Sequence, residues 1–180
     1  MAIIDARAQL EEILSKDSVE IDVRNGKTLI STVDLLSVLS VGGWFINNRG
    51  YVVRSRAAQD GNTLYLHNYL TGEKGVDHAN GNKLDNRREN LRVCTQSQNS
   101  ANKKVPRNNT SGYKGVARTA AGTYRAQVAK EGVIHIVGTY PDAESAARAY
   151  DDAAVGLYGE YAATNFPRDG HRWARAHMAE

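Results

Sequence analysis

The chain has 180 residues, of which 41% are hydrophobic and 24% charged, with a formal net charge of +3. This is an ordinary soluble composition for one domain or two small ones. No stretch approaches the roughly 18 consecutive apolar residues of a membrane span, and the chain start is acidic, unlike a signal peptide. Cys94 is the only cysteine, which excludes an intrachain disulfide bond and a zinc site built on paired cysteines. We therefore expect a cytoplasmic protein without a membrane partner.

Charge is distributed unevenly along the chain. Residues 1–22 contain six acidic and two basic residues, whereas residues 81–130 contain eleven basic and two acidic residues. Such a concentration of Lys and Arg is what phosphate neutralisation on a nucleic acid requires. A solvated basic surface without a partner gives the same pattern, so charge alone leaves both interpretations open.

The first half of the chain has the alternating, turn-rich patterns of a mostly β structure. A short helix is predicted within 1–15. The predicted strands are, in chain order, 19–23, 28–33, 44–46, 51–54, 64–70, 76–78 and 91–93. Asn and Gly residues favour hairpin turns at 47–50 and in the loop 81–86. A helix over 96–104, capped by Thr95, is predicted to complete this half.

The second half predicts a separate small module. The polar, turn-rich stretch 106–112 is the linker candidate. Three strands are predicted at 113–118, 123–130 and 133–140, followed by a helix from the cap Asp142 to about Tyr158. One face of that helix is predicted to carry Ala146, Ala149, Tyr150, Ala153, Ala154 and Leu157. The chain is therefore predicted to be α+β, ending in a three-stranded antiparallel sheet packed on one helix.

The spacing of polar residues between 77 and 99 can build a one-metal site that cuts phosphodiester bonds. Asp77 and Asn99 supply oxygen ligands for a hard divalent cation, and His78 supplies an imidazole that can deprotonate water. Adjacent strand residues point to opposite faces, so Asp77 and His78 can converge on one phosphate only at a strand end or bulge. Asn90 is predicted to hold the intervening loop through hydrogen bonds to its backbone.

The same residues also have a purely structural interpretation. An Asp-His pair with an Asn-rich loop can form a hydrogen-bonded turn, and Asn99 can be an ordinary exposed helix residue. A lone strand histidine such as His67 is usually structural, and a supporting position behind the site is its alternative role. Only the spacing of the whole set favours the cutting site.

Residues 64 to 104 resemble the HNH endonucleases of phages and their introns. The resemblance is carried by Leu66-His67, by the string from Val76 to Arg92 that opens with Asp77-His78-Ala79-Asn80-Gly81, and by Gln98-Asn99 with Asn102-Lys103. It implies a ββα-metal fold with His78 as general base and Asn90 as the second catalytic position. It also implies one divalent metal, Mg²⁺ or Mn²⁺, bound by Asp77 and Asn99. This chain has Asn68 where members commonly carry arginine.

Basic side chains around the motif are the predicted DNA contacts of the first module. Arg87, Arg88 and Arg92 lie beside the loop and are expected to steady neighbouring phosphates. Lys103 shares a predicted helix face with Asn99 and is expected to contact DNA as well.

Residues 109 to 167 resemble the APETALA or ethylene-response-factor DNA-binding domain. The resemblance is carried by Ser111-Gly112-Tyr113-Lys114-Gly115-Val116, Val137-Gly138-Thr139-Tyr140, the helix from Glu144 to Asp151, and Asn165-Phe166-Pro167. It implies a sheet that lies in the major groove, with Ala117, Ala129, Ile134 and Ile136 near its contact positions. The predicted DNA-binding residues are Lys114, Arg118, Arg125 and Gln127, since Arg can read guanine and Gln can read adenine. A solvated sheet face is the alternative.

These patterns predict a DNA endonuclease of the homing or free-standing phage type, with double-stranded DNA as partner. It would act as a monomer or homodimer in the cytoplasm of a bacterial or phage-infected cell. The predicted segments are an HNH module with a β-rich lead-in at 1–105, a linker at 106–112, a DNA-binding domain at 113–167 and a tail at 168–180. The competing hypotheses are a non-catalytic DNA-binding regulator and a module that uses its basic surface for protein partners.

Overall fold

The computed structural model describes residues 8–9, 11–55, 63–106 and 108–173. The chain is α+β, with several small sheets and short helices, and it divides into two compact units, Met1–Val93 and Cys94–Glu180. Of the predicted N-terminal helix, residues 8–9 and 11–14 are helical and Ser15 lies in a turn, while residues 1–7 and 10 lie outside the described residues. No helix in the described ranges is long and apolar enough to cross a membrane.

The first unit is built from hairpins and short helices. Its strands are β1 (Ser18–Val23), β2 (Gly26–Ser31), β3 (Phe45–Ile46), β4 (Val52–Ser55), β5 (Thr63–Tyr65), β6 (Val76–His78), β7 (Asp85–Asn86) and β8 (Leu91–Val93). Beyond the N-terminal helical residues, its described helices are α1 (Leu35–Val41) and α2 (Leu66–Thr71), with 3-10 turns at Thr32–Asp34 and Arg88–Asn90. The predicted hairpin between 76–78 and 91–93 is confirmed, because β6 pairs antiparallel with β8. The sequence did not predict β7, which pairs in parallel with β2.

The predicted strand over 64–70 is wrong beyond Tyr65. The chain turns there into α2, which buries Leu66, His67 and Leu70. Gly72 ends this helix in the left-handed conformation, with φ of 77°, and its N–H donates to the carbonyl of Asn68. Helical residues four apart lie on one face, so the turn into α2 packs both leucines into the core of the first unit.

The second unit is a three-stranded antiparallel sheet with a helix packed on one face. Its elements are α3 (Gln96–Ala101), β9 (Val116–Arg118), β10 (Tyr124–Lys130), β11 (Val133–Tyr140), α4 (Ala143–Tyr158), a 3-10 turn (Gly159–Tyr161), β12 (Ala163–Thr164) and β13 (Arg172–Trp173). The sheet order is β11-β10-β9, and Ala126 and Val128 of β10 pack against Ala146 and Tyr150 of α4. The predicted sheet, its backing helix and the Asp142 cap are confirmed.

Two details of the helices differ from the prediction. Leu157 is exposed and Tyr158 is buried, so the packed face of α4 is rotated towards Tyr158. Helix α3 begins after Thr95 as predicted, with a capping box to Gln98, but it ends at Ala101. Ala101 belongs to the core of the second unit, so α3 groups with that unit, whereas the prediction joined it to the β6–β8 hairpin. The predicted division at 106–112 into two functional modules stays a prediction.

Gly115 is a position where the second unit tolerates no side chain. Its φ is +72°, and a Cβ there would lie 2.0 Å from Cδ2 of the buried Tyr150 ring. We expect Gly115→Ala to lower the free energy of unfolding by about 3 kcal/mol, combining overpacking with left-handed backbone strain. Gly122→Ala is the matched control, because Gly122 has φ of +82° with nothing within 4 Å. Urea unfolding of both variants measures the difference, and equal losses would contradict the close packing at Gly115.

Candidate active site

The candidate site lies where the β6–β8 hairpin ends. His78 is the last residue of β6 and is only 4% exposed. The predicted convergence of Asp77 and His78 on one phosphate required such a strand end. Beyond it the chain turns at once, with the N–H of Gly81 donating to the His78 carbonyl. The N–H of Ala79 donates to the carbonyl of Asn90, which extends the hairpin contact by one step.

Asn90 ties the two sides of the loop together. Its Oδ1 accepts the N–H of Asn80 at 2.9 Å, and its Nδ2 donates to the carbonyl of Asp85 at 2.7 Å. The Asn80 side chain closes the same network by donating to Asp85 Oδ2 at 2.8 Å. Asn90 is buried and therefore makes the loop hydrogen bonds that its position in the sequence predicts.

Asn86 orients the imidazole of His78. The two side chains meet at 3.2 Å between His78 Nε2 and Asn86 Oδ1. Asn86 Nδ2 donates to Thr28 Oγ1 at 2.9 Å and to the Lys83 carbonyl at 3.3 Å, so Oδ1 is the accepting end of the amide. His78 Nε2 then carries the hydrogen, which makes Nδ1 the basic nitrogen of the neutral ring. Sequence reasoning missed Asn86, since its partner Thr28 lies far away in the chain.

The surroundings of His78 favour its neutral form. Burial lowers the pKa of His78 below its usual value, against the opposing influence of Asn86 and of the Asp77 and Asp85 carboxylates. A neutral imidazole is the form that accepts a proton, so burial prepares His78 for the role of base.

Aromatic rings pack around His78 on the side of α2. The ring of His67 lies 5.0 Å from that of His78, edge-on at 79°, and Tyr51 and Tyr65 lie 5.6 and 5.3 Å from His67. Lys83 Nζ sits 4.2 Å from the centre of the Tyr51 ring and donates to the Arg49 carbonyl. His67 therefore contacts His78, as a supporting position behind the site requires, and its role there stays a prediction.

His67 makes the first unit sensitive to acid. Burial and the neighbouring His78 lower the pKa of His67 to about 4, whereas the unfolded chain titrates near 6.5. The unfolded state therefore binds the extra proton first, so stability is full above pH 6.5, falls as the pH drops from 6.5 to 4, and levels off below 4. We expect a loss of up to about 3 kcal/mol across this range. Urea unfolding at several pH values measures it, and His67→Phe should flatten the profile; an unchanged profile would contradict the assignment to His67.

The Asp77 carboxylate forms an ion pair with Arg92. Its Oδ2 lies 3.0 Å from Nη2 of Arg92, its direct partner across the β6–β8 pair, and both side chains are mostly buried. Arg92 was predicted to steady a phosphate, and the structure instead pairs its guanidinium with Asp77. Across the described ranges, no group of three or more His, Cys, Asp or Glu is arranged to hold a metal ion.

The other two predicted phosphate contacts of the first unit also hold carboxylates. The Arg87 guanidinium donates two hydrogen bonds of 2.8 Å to the Asp85 carboxylate. The Arg88 guanidinium donates to the carboxylate of the buried Asp34 at N···O distances of 2.7 to 3.1 Å. These ion pairs lower the pKa of Asp85 and raise the pKa of each arginine. The arginines thus stabilise the loop and its attachment to the fold, and the exposed part of Arg88 remains accessible.

The remaining predicted residues lie in the second unit. Asn99 is a half-buried residue of α3, so its partnership with Asp77 around one metal stays a prediction. Lys103 follows the helix end and is exposed. Lys114 departs from the prediction, because it is buried and its Nζ donates to the Ala101 carbonyl.

Of the predicted DNA-binding residues in the sheet strands, only Arg125 and Gln127 share a face. They alternate with the buried Ala126 and Val128, so both point away from α4. Arg118 is exposed but lies opposite Tyr124 in the register, on the other face of the sheet from Arg125. Arg125 and Gln127 are therefore the two of these residues that could face one partner together, and their contact with DNA stays a prediction.

Comparison with known proteins identifies the family. A family model described as HNH endonuclease matches residues 69–101, which include Asp77, His78 and Asn90. A protein of Acanthamoeba polyphaga mimivirus, named an uncharacterized HNH endonuclease, is 33% identical over 139 residues, covering 74% of this chain and 72% of that protein. The chain belongs to the HNH endonuclease family. The matched range includes the loop held by Asn90 and the histidine held by Asn86.

Other relatives match the second unit of the HNH protein. An AP2/ERF and B3 domain-containing protein of Oryza sativa is 48% identical over 58 residues, covering 32% of this chain and 16% of the plant protein. The dehydration-responsive element-binding protein 2A of Arabidopsis thaliana is 38% identical over 65 residues, covering 35% of this chain and 19% of its own length. No solved structure matches the chain.

Proposed function

We propose that this HNH protein is a metal-dependent DNA endonuclease that hydrolyses phosphodiester bonds with His78 as general base. The observation that carries the proposal is the buried His78 at the end of β6, with Nε2 on Asn86 and the adjoining loop clamped by Asn90. A structural turn needs neither a neutral imidazole nor a second amide dedicated to its orientation. Family membership and the viral relative support a nuclease, and the homing or free-standing phage type is part of the proposal.

Each residue of the motif has one role in this proposal. His78 Nδ1 takes the proton of the attacking water, while Asn86 keeps the ring in the tautomer that leaves Nδ1 basic. Asn90 fixes the loop and with it the end of β6. Since β6 supplies both the base and Asp77, a shift of this loop would move both groups relative to the phosphate.

The donor chemistry fits one hard divalent cation, Mg²⁺ or Mn²⁺. Asp77 offers a carboxylate oxygen and Asn99 an amide oxygen, the ligand types that such ions prefer. When bound, the cation would stabilise charge on the phosphate and on the departing sugar oxygen. Arg92, across from Asp77, holds that carboxylate in place through their ion pair.

The second unit would dock double-stranded DNA through its sheet. Arg125 and Gln127 on the exposed face carry the donor groups that read base edges in the major groove. One of the plant relatives is named as binding a dehydration-responsive element, which supports DNA as the ligand of this unit. Lys103 and Arg118 are exposed and are further candidates for phosphate contacts.

A non-catalytic DNA-binding regulator is the second candidate. The observation in its favour is that Arg87, Arg88 and Arg92, the predicted phosphate contacts, all hold carboxylates, Asp77 among them. Such a protein would keep the HNH fold as a scaffold and bind DNA through the second unit.

Supercoiled plasmid separates the two candidates, because a closed circle has no ends and records every internal cut. In the presence of Mg²⁺ we expect the protein to convert supercoils to nicked circles, since one HNH unit attacks one strand at a time. Linear product that rises steeply with protein concentration would indicate that two chains assemble. A retarded plasmid that stays closed while bound by the protein would favour the regulator.

A further inference from the structure

The exposed face of the second unit's sheet is unusually apolar. We define the outer face by Arg125, Gln127, Ile134, Ile136 and Thr139, which the β10–β11 register pairs as Arg125 with Thr139 and Gln127 with Ile136. Ala129, beside Ile134, adds a methyl group to the same face. Ile134 and Ile136 are 61% and 63% exposed. Neighbouring large apolar side chains that are exposed on a strand usually mark a binding surface.

Charge indicates which kind of partner this face meets. The outer face carries Arg125 and no acidic residue, whereas residues 141–158, which hold α4, contain four acidic residues and one basic residue. The helix packs on the opposite side of the sheet from the outer face. A polyanion would therefore approach the sheet and avoid the helix.

Space beside the outer face is also lined with basic side chains. A cavity of about 320 Å³ opens between β10 and the segment after α3, and its lining includes Lys103, Lys104, Gln127 and Ile134. Lysines next to an apolar and amide surface are the arrangement that phosphates flanking a groove require. The strands β10 and β11 together have the width of a two-stranded ribbon that the major groove of B-DNA admits.

We propose that the outer face reads thymine-containing DNA, with Ile134 and Ile136 packing on thymine C5-methyl groups. The C5-methyl group is the one apolar feature that a base pair displays in the major groove, and aliphatic side chains recognise it by contact. Gln127, directly opposite Ile136, can bind the adenine of the same or a neighbouring A·T pair through two hydrogen bonds. This inference rests on the proposed docking of DNA by the sheet and adds the class of sequence that is read.

Replacing thymine with uracil tests the contact, because uracil lacks only the methyl group. The wild-type protein first selects a duplex from a random-sequence pool, and that duplex is then synthesised with either thymidine or deoxyuridine. Fluorescence anisotropy in EDTA measures binding without cleavage. We expect the deoxyuridine duplex to bind about fourfold more weakly for each methyl group contacted. Ile134→Ala combined with Ile136→Ala should bind both duplexes equally.

Val133→Ala is the matched control, since Val133 is equally apolar and 58% exposed but alternates onto the opposite face of β11. It should keep the preference for thymine. Equal binding of the two duplexes by wild type, or a preference that survives in the double variant, would overturn the inference, as would failure to bind any duplex. A sedimentation change in the double variant without loss of discrimination would assign the face to a second copy of the chain. Plasmid cleavage is scored separately, so cleavage without thymine discrimination refutes only this inference, and discrimination without cleavage refutes only the nuclease.

Discussion

His78→Ala is expected to reduce the rate of DNA cleavage by about 10²- to 10⁴-fold, the usual contribution of a general base. The variant loses the imidazole whose Nε2 is held by Asn86 and whose Nδ1 would take the proton from water. Single-turnover cleavage of an end-labelled duplex in Mg²⁺ measures the rate without interference from product release. DNA binding measured in EDTA should stay at the wild-type level, because the outer face lies in the other unit.

His171→Ala is the control for the loss of a histidine. His171 contacts the Ala162 carbonyl in the second unit and has no part in the HNH motif. Circular dichroism shows whether each variant is folded, and His78→Gln provides a second inactive variant that keeps a polar side chain. A folded His78 variant that cleaves at the wild-type rate would remove His78 from the chemistry.

Asn90→Ala is expected to damage both the fold of the loop and its activity. The change leaves the N–H of Asn80 and the carbonyl of Asp85 without the partners that Asn90 provides, and the site is buried. Each lost contact of this kind costs about 1–3 kcal/mol, so we expect the free energy of unfolding to fall by about 2–4 kcal/mol. Because the loop fixes the end of β6, the cleavage rate should fall by about 10²-fold even where the protein remains folded.

Asn82→Ala is the matched control in the same loop. Asn82 is exposed, and its Oδ1 accepts only the nearby N–H of Leu84. The Asn82→Ala variant should lose less than about 1 kcal/mol of its free energy of unfolding and keep its cleavage activity, as most exposed substitutions do. Urea unfolding and cleavage kinetics are measured on both variants. Equal effects of the two substitutions would show that Asn90 is an ordinary turn residue.

Local signals predicted the parts of the structure that local chemistry determines. The Thr95 cap of α3 and the Asp142 cap of α4 follow from residues within a few positions of one another, and the hairpin that ends at His78 joins strands fewer than 20 residues apart. The same holds for the loop contacts of Asn90, which span ten residues or fewer.

The predictions failed where one sequence pattern fits two kinds of secondary structure, or where contacting residues are far apart in the sequence. Leu66 and Leu70 are four residues apart, which is two strand periods and about one helical turn, so spacing alone could not separate α2 from a strand. Asn86 reaches Thr28, and Arg88 reaches Asp34, across more than fifty residues of sequence. Lys114 was predicted to be a surface cation. Its Nζ instead donates to the carbonyl of Ala101 on another element, a contact that the local sequence does not indicate.

Dependence of strand cleavage on a divalent metal is the most direct test of the nuclease assignment. Purified protein is incubated with supercoiled plasmid and Mg²⁺, EDTA is added part-way, and excess Mg²⁺ is restored at the end. Nicked circles should accumulate, stop accumulating on chelation and accumulate again when the ion returns, because the proposed site uses oxygen ligands from Asp77 and Asn99 to bind it. Plasmid that stays closed in Mg²⁺ and Mn²⁺ despite bound protein, or that opens equally fast in EDTA, would contradict a metal-dependent HNH endonuclease.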